Sequence, residues 1–550
     1  MQGERLTYKT IGTCFEERVK KTPHAVAAEF EGEKISFQQL DVLSDWLVWR
    51  FHSLGMKRGD HAAIWCANHL QWIIVFLGLQ KLGAVAVLMN PGYQAEELNQ
   101  VLSYANVKFL FYGESYKETS LPEILAQIDF KELPALEQAI PIERDNAIRL
   151  MEEQAGKMTD AQRKTVCLQK EAVKPDQVAC MMFTSGTTAA PKGVMLTHYN
   201  LVNDAIATVK AMRWGESDKT CVMVPLFHCF GITSCLIAGI IAGSCLYLMK
   251  RYRTAGALEA IQTNGCTVLN GVPSMFLAMA QNRLLSDYDV HTLKSGIIAG
   301  SPVSPQEYHM ICEKLHLGRL QMSYGQTETS PGVTFSHYED SIEEKCDNAG
   351  YLIDHIEACI WEKDGTQHIY GAKPQTAKSV GQETVTVHGE LGIKGFPVMQ
   401  GYYNRPDETK KVLGEDGWLH TGDMGYFDEK GRLHVEGRIK EIIIRGGENI
   451  SPAEIEKCLM MLPQIQQIKV VGVPQKVLQE EIAACIVRKP DTVLTEEEIR
   501  EYAQRHLASY KVPKYIAFFN AFPVSGSGKV KLCELKEQMK QYVSDFANSK

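Results

Sequence analysis

The sequence predicts a multidomain α/β protein, with parallel sheets layered by helices in a large N-terminal part, then a β-rich subdomain, then a small α+β domain. Three observations carry that expectation. From about residue 35 to residue 321, helical patterns alternate with short apolar runs, such as 62–66, 85–89, 108–112 and 296–299, which is how parallel strands joined by crossover helices read. Beyond Asn348 the pattern changes to short strands and turns, with Tyr426-Phe427 facing 433–435 across Asp428-Glu429-Lys430-Gly431 as a hairpin. After Gly437, Ser451-Pro452-Ala453-Glu454 marks a helix start, with Ser as cap, Pro in the first turn and Glu three residues past the cap.

The chain has 550 residues, and domains of about 100–200 residues imply two to four structural units. Hydrophobic residues make up 45% and charged residues 23%, the balance of a folded globular protein rather than a disordered one. The formal net charge of −8 argues against a general nucleic-acid binder, which needs a broad basic face to displace counterions. An anionic ligand must therefore be met by local Lys and Arg. No repeat of solenoid or propeller length is found.

Fifteen cysteines are scattered without a CxxC pair, and Cys180, Cys221, Cys235 and Cys245 sit in apolar surroundings. They read as small buried hydrophobes in a reducing compartment. The polar start, Met1-Gln2-Gly3-Glu4-Arg5, lacks the apolar core of an export signal, so the expected location is cytoplasmic. Residues 230–249 carry no charge and are long enough to span a bilayer. Gly231, Gly239, Gly243 and Ser244 interrupt them, and Leu246-Tyr247-Leu248 reads as a strand, so a buried helix–turn–strand unit is expected and no transmembrane segment.

The strongest local signal for chemistry is Thr184-Ser185-Gly186-Thr187-Thr188-Ala189-Ala190-Pro191-Lys192-Gly193. Its hydroxyls and small residues suit it to cradle a polyphosphate, with Lys192 supplying charge to a leaving diphosphate. The apolar run 178–183 precedes it, and the helical pattern Leu201, Val202, Ala205, Ile206 and Val209 follows. It is no Walker loop, because Pro191 stands where the second glycine of that motif belongs. A Ser/Thr/Gly surface turn is the bland alternative.

In this context the chain resembles the adenylate-forming superfamily of acyl-CoA synthetases, peptide-synthetase adenylation domains and beetle luciferases. The resemblance runs through Leu82-Gly83-Ala84-Val85, Asn90-Pro91, the Thr/Ser/Gly segment and Pro225-Leu226-Phe227-His228. It continues through Tyr324-Gly325-Gln326-Thr327-Glu328 and Gly417-Trp418-Leu419-His420-Thr421-Gly422-Asp423. Gly437-Arg438-Ile439-Lys440, Arg445-Gly446-Gly447-Glu448-Asn449 and Gly526-Ser527-Gly528-Lys529 complete the series.

The resemblance implies an AMP-binding N-terminal domain over 1–437, built of two parallel-rich sheets with a β-barrel-like subdomain at about 348–437. A small mobile α+β domain over 438–550 would follow, hinged near Lys440. It implies an ATP-dependent acyl-CoA ligase that joins a small carboxylic acid to AMP and passes the acyl group to coenzyme A. Lys529 is the expected catalytic cation, bridging carboxylate and phosphate, with His228 beside the acyl carboxylate. Glu328, with Thr184, is the expected Mg²⁺ site, since that ion uses few carboxylates alongside substrate phosphates.

Asp423 would accept the ribose hydroxyls and Arg438 would donate to the same sugar. Tyr324 would offer an aromatic face to adenine, Gly325 and Thr327 would bind the nucleotide beside it, and Gly300 would let backbone approach the base. Ser185, Gly186, Thr187, Thr188 and Lys192 would hold phosphates. Arg445, Gly446 and Gly447 would reach the CoA channel after rotation about Lys440. Cys229, Phe230, Gly231, Ser234, Pro331, Gly332 and Val333 would line the acyl pocket, whose small residues suggest room for a medium chain or a ring.

After Lys529 only about two helical turns and a tail remain, too little for a carrier domain, which rarely falls below about 50 residues. A free thiol acceptor is thus expected. Two other readings stay open: an adenylating enzyme that loads an acyl carrier protein, and a non-catalytic relative that binds nucleotide or acyl ligand. Ala189 stands where the family has glycine, which favours a stiffer loop and slow nucleotide turnover. The stretch 371–381 reads as a surface loop of unassigned purpose.

Overall fold

The structure is a computed structural model that describes residues 5–143, 147–184, 191–362, 364–371, 386–445, 448–475, 479–507, 511–524 and 529–548, with backbone alone at 440, 444, 448–449, 479 and 545–548. Among these residues the first large sheet has nine strands. From one edge to the other they are Tyr351–Leu352, Gly332–Phe335, Arg319–Gly325, Ser295–Ala299, Val268–Gly271, Lys219–Val222, Cys245–Leu248, Val26–Phe30 and Glu33–Ser36. Pairing is parallel from Arg319–Gly325 to Val26–Phe30 and antiparallel at both edges. The expected strand at 296–299 is one of the parallel interior strands.

A second sheet of seven strands runs Gly401–Tyr402, Lys192–Thr197, Val178–Thr184, Val85–Leu88, His61–Trp65, Phe109–Tyr112 and Gln138–Pro141. Its last five strands are parallel. The helix Leu70–Leu82 is buried along its whole length, as a helix that is apolar all round must be. Lys81 on that helix is buried too, and its ammonium is met by Asp41 at 2.6 Å and Asp45 at 2.7 Å, so the charge is paired rather than stranded.

Where a strand–loop–helix unit was expected around the phosphate segment, a β-hairpin is found. Val178–Thr184 pairs antiparallel with Lys192–Thr197, Thr184 opposite Lys192, and only then does the helix His198–Met212 begin. The strand Lys192–Thr197 escaped sequence reading because Val194 and Leu196 alternate with Gly193 and Met195 across a polar start, too short a pattern to stand apart from the loop.

Residues 230–249 form the expected helix–turn–strand. Helical turns run from Cys229 to Ala242, Gly243 adopts φ +76, and Cys245–Leu248 enters the nine-stranded sheet. Beyond it lies a five-stranded antiparallel sheet, Gln367–Gly371, Ile356–Trp361, Gly389–Gly395, Leu419–Phe427 and Leu433–Arg438, whose last two strands are the expected hairpin.

The last sheet joins Glu448–Ile450, Ile443–Arg445, Gln479–Arg488, Ile465–Gln475 and Tyr515–Phe519. Both of its faces are covered, one by the helices Pro452–Leu459 and Glu496–His506, the other by Leu532–Asn548. Ser451 starts the first of these helices as expected, but the capping box does not form. Its hydroxyl donates to the Glu436 carbonyl at 2.6 Å, and Glu454 pairs with Lys511. Nine of the fifteen cysteines are buried. No described helix is long and apolar enough to cross a membrane.

Candidate active site

The parallel strands deliver their carboxyl ends to one region, as open α/β sheets do. Ser295–Ala299 ends at Gly300, whose φ of +90 no ordinary side chain adopts readily. A Cβ there would lie 3.3 Å from Val272 Cγ1 and 3.8 Å from Lys529 Cε. Gly300 is therefore the floor on which the Lys529 side chain rests. Lys529, from the far end of the chain, thus reaches over the end of the strand Ser295–Ala299 while staying exposed to solvent.

Its electrostatic neighbours define the site. Burial lowers the Lys529 pKa, and the nearby charges that act on it include Arg438 and Asp423. The Lys529 charge in turn helps hold His228 down to about 4, after burial as the larger cause, so the imidazole is neutral at pH 7. His228 opens a helical turn, its Nδ1 accepting from Phe230 N at 3.4 Å. Cys229 lies 3.5 Å from both His228 Nδ1 and Thr327 Oγ1, and burial pushes its thiol up to about 11.

Tyr324 donates to Asp423 Oδ2 at 2.5 Å, while Arg438 Nε stands 3.2 Å from Oδ1. Both Asp423 and Arg438 lie on the hairpin Leu419–Phe427/Leu433–Arg438, directly opposite each other. Burial raises the Asp423 pKa, against the opposing effects of Arg438 and Tyr324, and burial together with Asp423 raises the Tyr324 phenol well above its ordinary value. A short, buried carboxylate oriented by two donors, with lone pairs left over on both oxygens, suits the binding of vicinal hydroxyls. Gly325 is required by packing, since a Cβ would fall 1.5 Å from the Pro331 carbonyl oxygen.

Glu328 Oε1 accepts from the Tyr402 hydroxyl at 2.9 Å, and Oε2 has no hydrogen-bond partner among the described residues. One oxygen is thus oriented and the other is available as a hard ligand. Glu328 is not part of any described group of three or more His, Cys, Asp or Glu able to enclose an ion; the one such group, Glu16, Asp41 and Asp45, is filled by Lys81 and Lys170. The Glu328 carboxylate thus fits an ion such as Mg²⁺ that takes most of its ligands from substrate phosphates and water. Thr184 ends the strand beside Lys192.

Three expectations meet a different arrangement. Lys192 is held by Glu408, Nζ to Oε2 at 2.7 Å, and lies over the Tyr402 ring at 5.0 Å. Arg445 is bound to the buried Glu481 within the last sheet, because a buried carboxylate needs a cation more than a surface loop does. The small residues that suggested a roomy acyl pocket are packed against. A Cβ on Gly231 would meet the Pro225 carbonyl oxygen at 2.0 Å, and one on Gly332 would meet Asp204 and Phe335 at 3.3 Å.

Ser185, Gly186, Thr187, Thr188, Ala189, Gly446 and Gly447 lie outside the described residues, as does most of 371–381; Lys440 is in the short helix Ile439–Glu441. Sequence reading missed Tyr402 and Glu408. Their only signal was the turn-like Gly401-Tyr402-Tyr403-Asn404-Arg405-Pro406 run, which points to a loop rather than to a site.

A lysine brought from the chain's end over a glycine, beside a buried carboxylate held by two donors and a glutamate with one oriented oxygen, is the arrangement expected of a nucleotide-dependent, carboxylate-activating enzyme. The chain belongs to the AMP-binding enzyme family. The family model matches residues 15–403, and the model of the AMP-binding enzyme C-terminal domain matches residues 454–529. YngI of Bacillus subtilis is 33% identical over 97% of both chains. The medium-chain acyl-CoA ligase ACSF2 of Homo sapiens, a mitochondrial protein, is 32% identical over 98% of this chain and 89% of that one. Among solved structures, o-succinylbenzoate CoA synthetase MenE of Bacillus subtilis with its acyl-adenylate intermediate matches with TM-score 0.76 and 26% identity, covering 97% and 99%. ATP-bound MatB of Rhodopseudomonas palustris shares the fold, with TM-score 0.82 at 23% identity over 97% and 99%.

Proposed function

We propose that the protein is an ATP-dependent acyl-CoA ligase, AMP-forming, that converts a carboxylic acid and ATP to acyl-AMP and diphosphate and then transfers the acyl group to the thiol of coenzyme A. The observation that carries this reading is the Lys529 side chain against Gly300, between His228 and the Asp423–Arg438 pair. Family membership and the ligase names of relatives aligned end to end support it. They favour a fatty acid of medium chain as substrate.

Bringing a carboxylate to a phosphate sets like charges together, at a cost of about 4 kcal/mol for unit charges 4 Å apart near a protein surface. Lys529 offsets that repulsion and holds the attacking oxygen in line with the departing diphosphate. Neutral His228 packs beside the carboxylate without drawing it away from Lys529. Asp423, Tyr324 and Arg438 hold the ribose, and Lys192 with the segment 184–188 receives the diphosphate. Glu328 and Thr184 would hold Mg²⁺, which supplies charge neutralisation at the phosphates.

For the second step, residues 438–550 turn about Lys440 relative to 1–437, withdrawing Lys529 and presenting the segment 445–449 to the CoA thiol. Lys440 falls in the gap between the two family models, 403 to 454, which supports that reading. The reducing cytoplasm is the proposed compartment, in keeping with the many buried thiols. The test is a thioester assay with CoA, ATP and Mg²⁺ across short, medium, long and aromatic carboxylates. AMP and acyl-CoA in equal amounts, greatest for medium chains, is the expected result. Acyl-AMP that stalls with every acid when CoA is supplied would transfer the reading to another acceptor.

A further inference from the structure

Lys192 pairs with one acidic group and lies over an aromatic ring whose hydroxyl serves a second. Its ammonium donates to Glu408 Oε2 at 2.7 Å and lies over the ring of Tyr402, whose hydroxyl donates to Glu328 Oε1 at 2.9 Å. The Lys192 side chain is 17% exposed and that of Glu408 28%, so the pair is only partly open to water. Glu408 is fixed independently of Lys192. Its other oxygen accepts from Lys411 at 2.6 Å. Its short helix, Pro406–Lys410, is tied to the strand Gly401–Tyr402 through Thr409 Oγ1, which accepts from Tyr402 N at 2.9 Å and donates to the Arg405 carbonyl.

This arrangement has an asymmetry. If Lys192 leaves, Glu408 keeps a cationic partner in Lys411, and the Tyr402 ring, being neutral, gives up only a contact with the ammonium. Exchange of Lys192 to another anion therefore strands no charge. A polyphosphate arriving beside Thr184 and Lys192, which pair across the two strands, presents several negative charges to one ammonium, against which a single carboxylate competes at a disadvantage.

We propose that Glu408 is a positioning residue that parks Lys192 in the nucleotide-free enzyme and competes with the phosphates for it, weakening ATP binding and speeding diphosphate release. The proposal rests on the reading of Lys192 as a phosphate ligand given above. Pairing with Lys192 and Lys411 holds the Glu408 carboxyl down to about 2, so the competitor is ionised throughout the working pH range.

The experiment compares the full-length wild type, Glu408→Gln, Lys192→Gln and the double variant for the KM of ATP, the KM of the acid, and the inhibition constant of inorganic diphosphate, with a thermal melt on each. Partly exposed ion pairs have a modest effect, so Glu408→Gln is expected to lower the ATP KM and the diphosphate inhibition constant together by about two- to five-fold, with the acid KM unmoved. In the Lys192→Gln background the same change is expected to shift neither constant, which a purely structural role would not produce. Should Glu408→Gln fail to fold, Glu408→Ala serves the same comparison. An ATP KM that rises or stays level in a folded Glu408 variant, or an equal effect with and without Lys192, overturns the proposal while leaving the ligase reading intact. A wild type that shows no ATP-dependent turnover with any acid overturns both.

Discussion

Replacing Lys529 by Ala removes the one cation that the chain's end delivers to the site, and the structure sets both the size and the selectivity of the loss. Lys529 is exposed to solvent before substrate binds, with partial desolvation among its neighbours lowering its pKa, so its charge acts most strongly once the nucleotide and acid displace water from around it. Removing a preorganised donor aimed at developing charge costs about 3–4 kcal/mol, or roughly 10²- to 10³-fold in rate. Carboxylate-dependent exchange of labelled diphosphate into ATP is expected to fall by that factor. Thioester formation from synthetic acyl-AMP and CoA, for which the proposed rotation withdraws Lys529, is expected to stay within about tenfold of wild type.

A second readout is independent of turnover. Lys529 is one of the two causes that hold His228 near 4, so the His228 titration moves upward, toward 6.5, in the variant. Because the Lys529 pKa is lowered, adenylation by the wild type is lost with rising pH at a lower pH than a solvent lysine would give. Exchange unchanged in Lys529→Ala, or both half-reactions reduced alike, would refute the reasoning.

Gly300→Ala introduces a Cβ 3.3 Å from Val272 Cγ1 and 3.8 Å from Lys529 Cε at a φ of +90; exchange is expected to fall about tenfold with a lower melting temperature, strain of this kind costing about 1–3 kcal/mol. Asp423→Ala is expected to raise the ATP KM at least about tenfold, as loss of hydrogen bonds to a charged group does, and to abolish discrimination between ATP and its 2′,3′-dideoxy form. Tyr402→Phe frees the oriented oxygen of Glu328 and is expected to raise the Mg²⁺ concentration for half-maximal activity by a few-fold, measured at fixed ATP. His198 is fully buried and held near 3. Its unfolded form takes up a proton from about 6.5 downward while the folded form does not, so stability falls from about pH 6.5 to pH 3, and His198→Gln flattens that fall in thermal melts.

Strands buried on both faces were legible as apolar runs, because a two-sided sheet requires them, and the Asp428–Gly431 turn announced its hairpin through its own residue types. Lys529, Asp423, Arg438, Tyr324 and Glu328 were legible through motif resemblance, and the structure joins the first four through Gly300 and the Asp423 contacts, with the Glu328 charge acting on Arg438. What sequence did not disclose is pairing. Lys192 looks free for phosphate until folding brings Glu408, more than two hundred residues later, against it. Gly231 and Gly332 look like open space, yet a neighbour's backbone or side chain already fills it. Such facts depend on tertiary approach, which residue type alone does not encode.

The central claim is that a carboxylate oxygen is driven onto the α-phosphorus of ATP. Acid labelled with ¹⁸O in both carboxyl oxygens, turned over with ATP, Mg²⁺ and CoA, tests it by mass spectrometry of the products. One labelled oxygen in AMP and none in diphosphate is the result expected when the acyl carbon later leaves its phosphoryl oxygen behind. Label appearing in inorganic phosphate, or AMP released unlabelled, would contradict it.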